Sequence, residues 1–134
     1  MDKVSKEKRH YIMSRVRSKD TIPEILVRSF LFKNGFRYRI HSKHLPGKPD
    51  IVLNKYNLVI LINGCFWHGH KGCIRSKLPE TNKLYWLKKI KSNIERDKKN
   101  IYQLKKMGYR VFVIWECKLK NIDSIKDKLI KLLV

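Results

Sequence analysis

The sequence predicts an α/β fold, a central mixed four-stranded sheet flanked by helices. Three observations predict it. Leu58-Val59-Ile60-Leu61-Ile62 is an unbroken apolar run between two asparagines, the pattern of a fully buried strand. A second largely apolar run, Tyr109 to Trp115, follows only after a long segment with apolar residues at helical spacing. A hydrophobic share of 43% over 134 residues is enough for one real core, so a single domain over 1–134 is expected.

The elements follow in order. Residues 1–20 are polar and strongly basic, with Tyr11, Ile12, Met13 and Val16 interrupting the charge, and read as a basic arm that is mobile or partly helical. Thr21-Ile22-Pro23-Glu24 has the form of a capping box: Thr21 caps, Glu24 reaches back to it, and Pro23 suits a first turn. The helix runs through Ile25, Leu26 and Phe30 and stops at Gly35. Phe36 to Ile40 alternates with period two, a strand with one basic face. Leu45 to Pro49 is a loop, Asp50 to Leu53 a second strand, Asn54 to Asn57 a turn, and Leu58 to Ile62 the third strand. A long helix begins after Asn82, its stripe marked by Leu87, Ile90, Ile94, Ile101 and Leu104, and Gly108 stops it. Asp123 is placed to open a last helix through Ile125, Leu129, Ile130 and Leu133.

The formal charge is +21, from 32 Lys and Arg against 11 Asp and Glu. A charge that lopsided repels itself unless a polyanion neutralises it, which points to nucleic acid. The sequence carries no signal peptide, no long apolar run and no lipidation signal. An intracellular protein with no membrane partner is expected. Three cysteines in a reducing compartment argue against a disulfide framework.

Between the third strand and the long helix, Asn63 to Cys73 gathers two cysteines, two histidines, an aromatic pair and three glycines. Cys65, His70 and Cys73, with Cys117 beyond the fourth strand, make three thiolates and one imidazole, a complete tetrahedral set for structural Zn²⁺. His68, at Cys-x2-His spacing, competes with His70 for the fourth place. Phe66, Trp67 and Trp86, flat side chains beside basic residues, are suited to stack on bases or wedge between them, or else to pack in the core.

Asp50, opening a strand after a Gly/Pro loop, puts a carboxylate at a sheet edge, where it can hold Mg²⁺ against a phosphate. Asp97 falls in the gap of an apolar helix stripe, where a carboxylate needs a partner. His68 is one candidate, and a carboxylate behind an imidazole makes it a better proton acceptor. Arg96 or a nearby lysine is the other. The element order resembles the core of the PD-(D/E)xK nucleases, in which a first Asp and a following acid-x-Lys share the metal. Here the third strand ends Leu61-Ile62-Asn63-Gly64, with neither the second acid nor the lysine.

Five segments carry a closer resemblance: Gly47-Lys48-Pro49-Asp50, Asn63-Gly64-Cys65-Phe66-Trp67-His68, Trp86-Leu87-Lys88-Lys89-Ile90, Asn93-Ile94-Glu95-Arg96-Asp97 and Trp115-Glu116-Cys117. In order and spacing they resemble the very short patch repair (Vsr) mismatch endonucleases. The resemblance implies a PD-(D/E)xK-like fold that nicks double-stranded DNA beside a T·G mismatch left by deamination of 5-methylcytosine. It implies that Asp50 and the backbone carbonyl of Ile62 bind Mg²⁺, that Glu24 acts through metal-bound water, and that His68 is the general base, oriented by Asp97. It matches Cys65, His70, Cys73 and Cys117 to the zinc set. It matches Phe66, Trp67 and Trp86 to aromatics that wedge into the duplex, and Met13 to an arm residue entering from the opposite groove. Family members usually carry His or Asp where this chain has Asn63. The resemblance further implies a monomer acting in the bacterial cytoplasm at the nucleoid, with mismatch-repair proteins as partners. Two other readings stand beside it: a restriction or homing-type nuclease of the same fold without mismatch preference, and a non-catalytic, zinc-stabilised DNA-binding module. Retention of Glu24, Asp50, His68 and Asp97 together speaks against the second.

Overall fold

Helix α1, Ile22–Lys33, begins where the sequence places it: Thr21 is the N-cap, its Oγ1 accepting the Glu24 N–H at 3.4 Å, and Pro23 lies in the first turn. This computed structural model describes residues 21–133, so the basic arm and Met13 lie outside the described residues. Only half of the expected capping box forms. The Glu24 carboxylate turns to Arg28, one turn along, at 2.8 Å. Asn34 caps the other end, and Gly35, at φ +80, lets the Phe36 N–H return to the Leu31 carbonyl.

The strand expected over Phe36 to Ile40 shrinks to β1, Arg39–Ile40, both residues exposed. The alternation survives as burial: Phe36 and Tyr38 pack onto the core while Arg37 and Arg39 face outward. Pulling those two rings inward leaves only Arg39 and Ile40 to pair, antiparallel, with β2, Ile51–Leu53. A short helical turn, Asn54–Tyr56, and Asn57 in the left-handed region lead into β3, Leu58–Asn63, antiparallel to β2. Helix α2, Lys83–Lys106, crosses over, and β4, Arg110–Trp115, returns parallel to β3. The sheet order is β1-β2-β3-β4, mixed as expected. A helical turn, Glu116–Asn121, precedes α3, Ile122–Leu133, so Asp123 lies inside the first turn of the last helix rather than opening it.

The apolar runs are explained by layers on both faces of the sheet. Ile51, Leu53, Leu58, Ile60 and Ile114 point to one face, where Val27 and Leu31 of α1 and Ile125, Leu129 and Leu133 of α3 cover them. Val52 and Val59 point the other way, onto Leu104 of α2. At the far end of α2 the expected stripe thins: Ile90 is buried, whereas Leu87 is 42% exposed.

Candidate active site

The register of the sheet assembles the site. In the parallel pair Asn63 lies opposite Trp115, so Cys65 and Cys117, each two residues further on, leave the same end of the sheet together. In the antiparallel pair Ile51 lies opposite Ile60, which brings Asp50 to the end of β3. There Asp50 Oδ2 accepts the Ile62 N–H at 2.7 Å. Ile62 thus meets Asp50 through its amide.

Glu24, 3% exposed, reaches the same spot from α1. His41, just past β1, completes the cluster: Glu24, His41 and Asp50 each offer a ligand atom, all within 4.8 Å of one another. Burial pushes the Asp50 carboxyl up to about 6; the Glu24 charge adds to the rise, while the Ile62 N–H and the charges of His41 and His68 oppose it. Two carboxylates closing on one point with a resisted charge are a donor set that a hard divalent cation satisfies.

Asp97 does not pair with Arg96. It meets His68, Oδ2 to Nδ1 at 2.5 Å, across 29 residues of sequence. Arg96 instead donates to Asn93 Oδ1 at 3.0 Å, and the buried Asn93 donates to the Trp67 carbonyl at 2.8 Å. With Nδ1 engaged by Asp97, His68 has Nε2 for the cleft it lines. Asn63, 7% exposed, lines the same cleft.

His68 is thereby withdrawn from the cysteine cluster, and the competition for the fourth ligand falls to His70. Cys65, His70, Cys73 and Cys117 bring their ligand atoms within 4.8 Å of one another. His70 Nδ1 lies 3.4 Å from Cys117 Sγ, and its ring stacks on Trp115 at 4.1 Å. Burial pushes the Cys65 thiol up to about 11; the Cys117 backbone N–H opposes the rise, while the Cys117 and Cys73 thiols add to it. A thiolate disfavoured that strongly is stabilised by a cation, and three thiols with one imidazole suit a tetrahedral one.

Phe66, Trp67 and Trp86 are half-buried against one another, with ring centroids 5.2 to 5.8 Å apart. Tyr85, 59% exposed, extends the group, 5.1 Å from Trp86. Trp67, His68, Asp97, Asp50 and Glu24 all line one cleft of about 1490 Å³, so aromatic and ionisable groups share a single opening.

The comparisons with known proteins bear on this cleft. The sequence profile of the family described as DNA mismatch endonuclease Vsr matches residues 1–75. The DNA mismatch endonuclease Vsr of Escherichia coli K12 is 38% identical over 127 residues, covering 95% of this chain and 79% of that protein. The chain belongs to the Vsr family. It is accordingly a DNA endonuclease, and DNA is what it acts on. Another relative, the type II nicking enzyme V.NmeAIP of Neisseria meningitidis serogroup A, is 50% identical over 125 residues, 93% of this chain and 89% of its own. Among solved structures, the catalytic domain of the homing endonuclease I-Bth0305I superposes with a TM-score of 0.57 at 26% identity, covering 84% of this chain and 94% of that one.

In and behind this Vsr-family cleft the sequence missed three residues, of which His41 lines it while Arg28 and Asn93 hold residues that do. Asn93 stood inside a quoted segment, but its hold on the Trp67 carbonyl depends on how α2 packs on the loop. His41 and Arg28 carried no motif. The only available signal for them was an ionisable group beside a predicted strand end and another one turn after Glu24.

Proposed function

We propose that this Vsr-family endonuclease nicks double-stranded DNA beside a T·G mismatch by Mg²⁺-dependent hydrolysis. The observation that carries the reading is the His68–Asp97 pair lining one cleft with the Asp50–Glu24 carboxylates. Asp50 and the carbonyl of Ile62 would hold Mg²⁺, with Glu24 acting through water. The cation would supply charge neutralisation at the phosphate being cleaved. His68 Nε2 accepts the proton of the attacking water, and Asp97 holds the ring in the tautomer that leaves Nε2 basic. Asn63 contributes no second titrating group, so proton acceptance rests on His68. Cys65, His70, Cys73 and Cys117 would hold a structural Zn²⁺ that stiffens the loop carrying Phe66, Trp67 and His68. Phe66, Trp67 and Trp86 enter the duplex at the mispair, with Met13 of the arm bracing the opposite groove. The enzyme works as a monomer in the cytoplasm alongside mismatch-repair proteins.

A second reading, strand nicking without mismatch preference, is favoured by the 50% identity to a protein named a type II nicking enzyme. Nicking rates on matched and T·G duplexes of one sequence, with and without Mg²⁺, separate the two. Cleavage confined to the T·G duplex with Mg²⁺ supports the first reading. Equal cleavage of both duplexes supports the second, and cleavage without any divalent cation refutes the metal assignment.

A further inference from the structure

His41 has a geometry that the reading above does not use. Its backbone N–H bonds the Asp50 carbonyl at 3.4 Å, and its φ of 49 turns the chain sharply after β1. Both features aim the ring at the carboxylate pair. Its Nε2 lies 3.6 Å from Glu24 Oε2 and 3.1 Å from Arg28 Nη2. Arg28 Nη2 is in turn 2.8 Å from Glu24 Oε2. A guanidinium has only donors, so in that contact His41 Nε2 is the acceptor and carries the lone pair. The ring proton is then on Nδ1. A neutral imidazole, in a cluster whose Glu24, His41 and Asp50 ligand atoms all lie within 4.8 Å of one another, is the form in which histidine binds metals.

We propose that His41 is a direct nitrogen ligand of the catalytic cation, so that the Glu24–His41–Asp50 site takes a transition-metal dication such as Mn²⁺ in preference to Mg²⁺, with Arg28 holding the ligands together until the cation arrives. The proposal rests on the reading of Asp50 as a metal ligand and deepens it. Mg²⁺ is a hard ion that demands oxygen ligands in near-ideal octahedral geometry. An imidazole in the ligand set shifts preference toward first-row transition metals. Arg28 cannot lose its charge, so the guanidinium and an incoming dication repel each other and compete for Glu24 Oε2 and His41 Nε2. Arg28 therefore sets the threshold at which the site fills, and His41 sets which ion fills it.

The test is direct cation binding by zinc-loaded protein without DNA, read by electron paramagnetic resonance of Mn²⁺ with Mg²⁺ as competitor. The expected wild-type result is Mn²⁺ bound more tightly than Mg²⁺, with nitrogen hyperfine coupling in the bound spectrum. His41→Gln should abolish that coupling and weaken Mn²⁺ about tenfold while changing Mg²⁺ less than about twofold. Arg28→Gln should tighten both cations. Absence of nitrogen coupling in the wild type overturns the proposal without recourse to any variant. So does coupling that persists in His41→Gln, which would trace it to another histidine, or an equal loss of both cations. An Arg28→Gln variant that binds no more tightly overturns the placeholder role. Asp50→Ala separates the two layers: Mn²⁺ binding unchanged in that variant sinks the metal reading of Asp50 itself, whereas binding lost there but unaltered in His41→Gln sinks only the part played by His41.

Discussion

Asp50 carries a charge that its surroundings resist, and that resistance can be measured. Its carboxyl is raised from the ordinary 3.8 to about 6, chiefly by burial and then by the nearby Glu24 charge. A raised carboxyl destabilises the fold once pH climbs through that window, because the folded state holds its proton longer than the unfolded chain does. Asp50→Asn removes the charge while its amide oxygen can still accept the Ile62 N–H. Without added divalent cations the variant should therefore be more stable than the wild type above about pH 7, by about 2 kcal/mol, the gap closing below about pH 4. Denaturant unfolding at the two pH values checks this, and a constant gap would show that charge is not its cause. His68 and Asp97 act as a pair if their 2.5 Å contact matters for catalysis. Each alanine variant should slow nicking, and the double variant should cost little more than the worse single one; losses that multiply would show independent roles. At this scale the sequence was most informative where chemistry is rare. Histidine, cysteine and an aspartate in an apolar stripe stood out, and Asp97 found the partner that its position demanded. His41 and Asn93 stayed invisible because their partners arrive from distant segments, through a turn at positive φ and a helix packed on a loop, and Arg28, one turn after Glu24, carried no motif.

Among the elements, the loop from Gly64 to Cys73 has the least regular structure around the most chemistry, and two constraints hold it. One is the cysteine cluster, fixed by the parallel register of β3 and β4. The other is Gly69, at φ +58, where an added Cβ would lie 2.7 Å from side-chain carbons of both Ile90 and Ile94. The loop backbone is pressed directly onto α2, in the stretch that also presents Asp97 to His68. Gly69→Ala should cost about 2 kcal/mol or more, from backbone strain together with overpacking, and should slow cleavage by displacing His68. A thermal unfolding midpoint unchanged from the wild type would contradict that. Cys117→Ser should release Zn²⁺ and lower stability together, since structural zinc contributes folding energy. Metal analysis of protein purified without chelator is the check, and a wild type lacking zinc removes the assignment. Among the described residues, apolar periodicity located the three α-helices and the three main strands, because buried faces leave a pattern. It overextended β1, whose alternation reflects two rings packing inward rather than a ladder of hydrogen bonds. It also carried the α2 stripe out to Leu87, which is 42% exposed.

For the whole molecule, the division of labour between charge and shape is the decisive question. With a net charge of +21, binding to any duplex should be tight at low salt and fall steeply as salt rises, because each neutralised phosphate releases counterions. A T·G wobble pair leaves the phosphate path nearly unchanged, so that attraction cannot single it out. Weaker stacking can. Prising apart a base step costs a few kcal/mol, and less where the pair is already mismatched. Phe66, Trp67 and Trp86 form one half-buried cluster at the rim of the cleft, tied to the core by Asn93 and to the cysteine site by the chain itself. Through Phe66 and Trp67 the cluster touches the cleft that holds the carboxylates. Trp67→Ala should therefore lower nicking of T·G duplex by about a hundredfold, the equivalent of losing most of one stacking contact. Binding to matched duplex, and its slope against salt, should stay as they were. Salt titrations and nicking rates on two duplexes differing only at the T·G position measure both quantities. A parallel loss on both duplexes would make Trp67 a packing residue, and recognition of the mispair would then have to come from the basic arm.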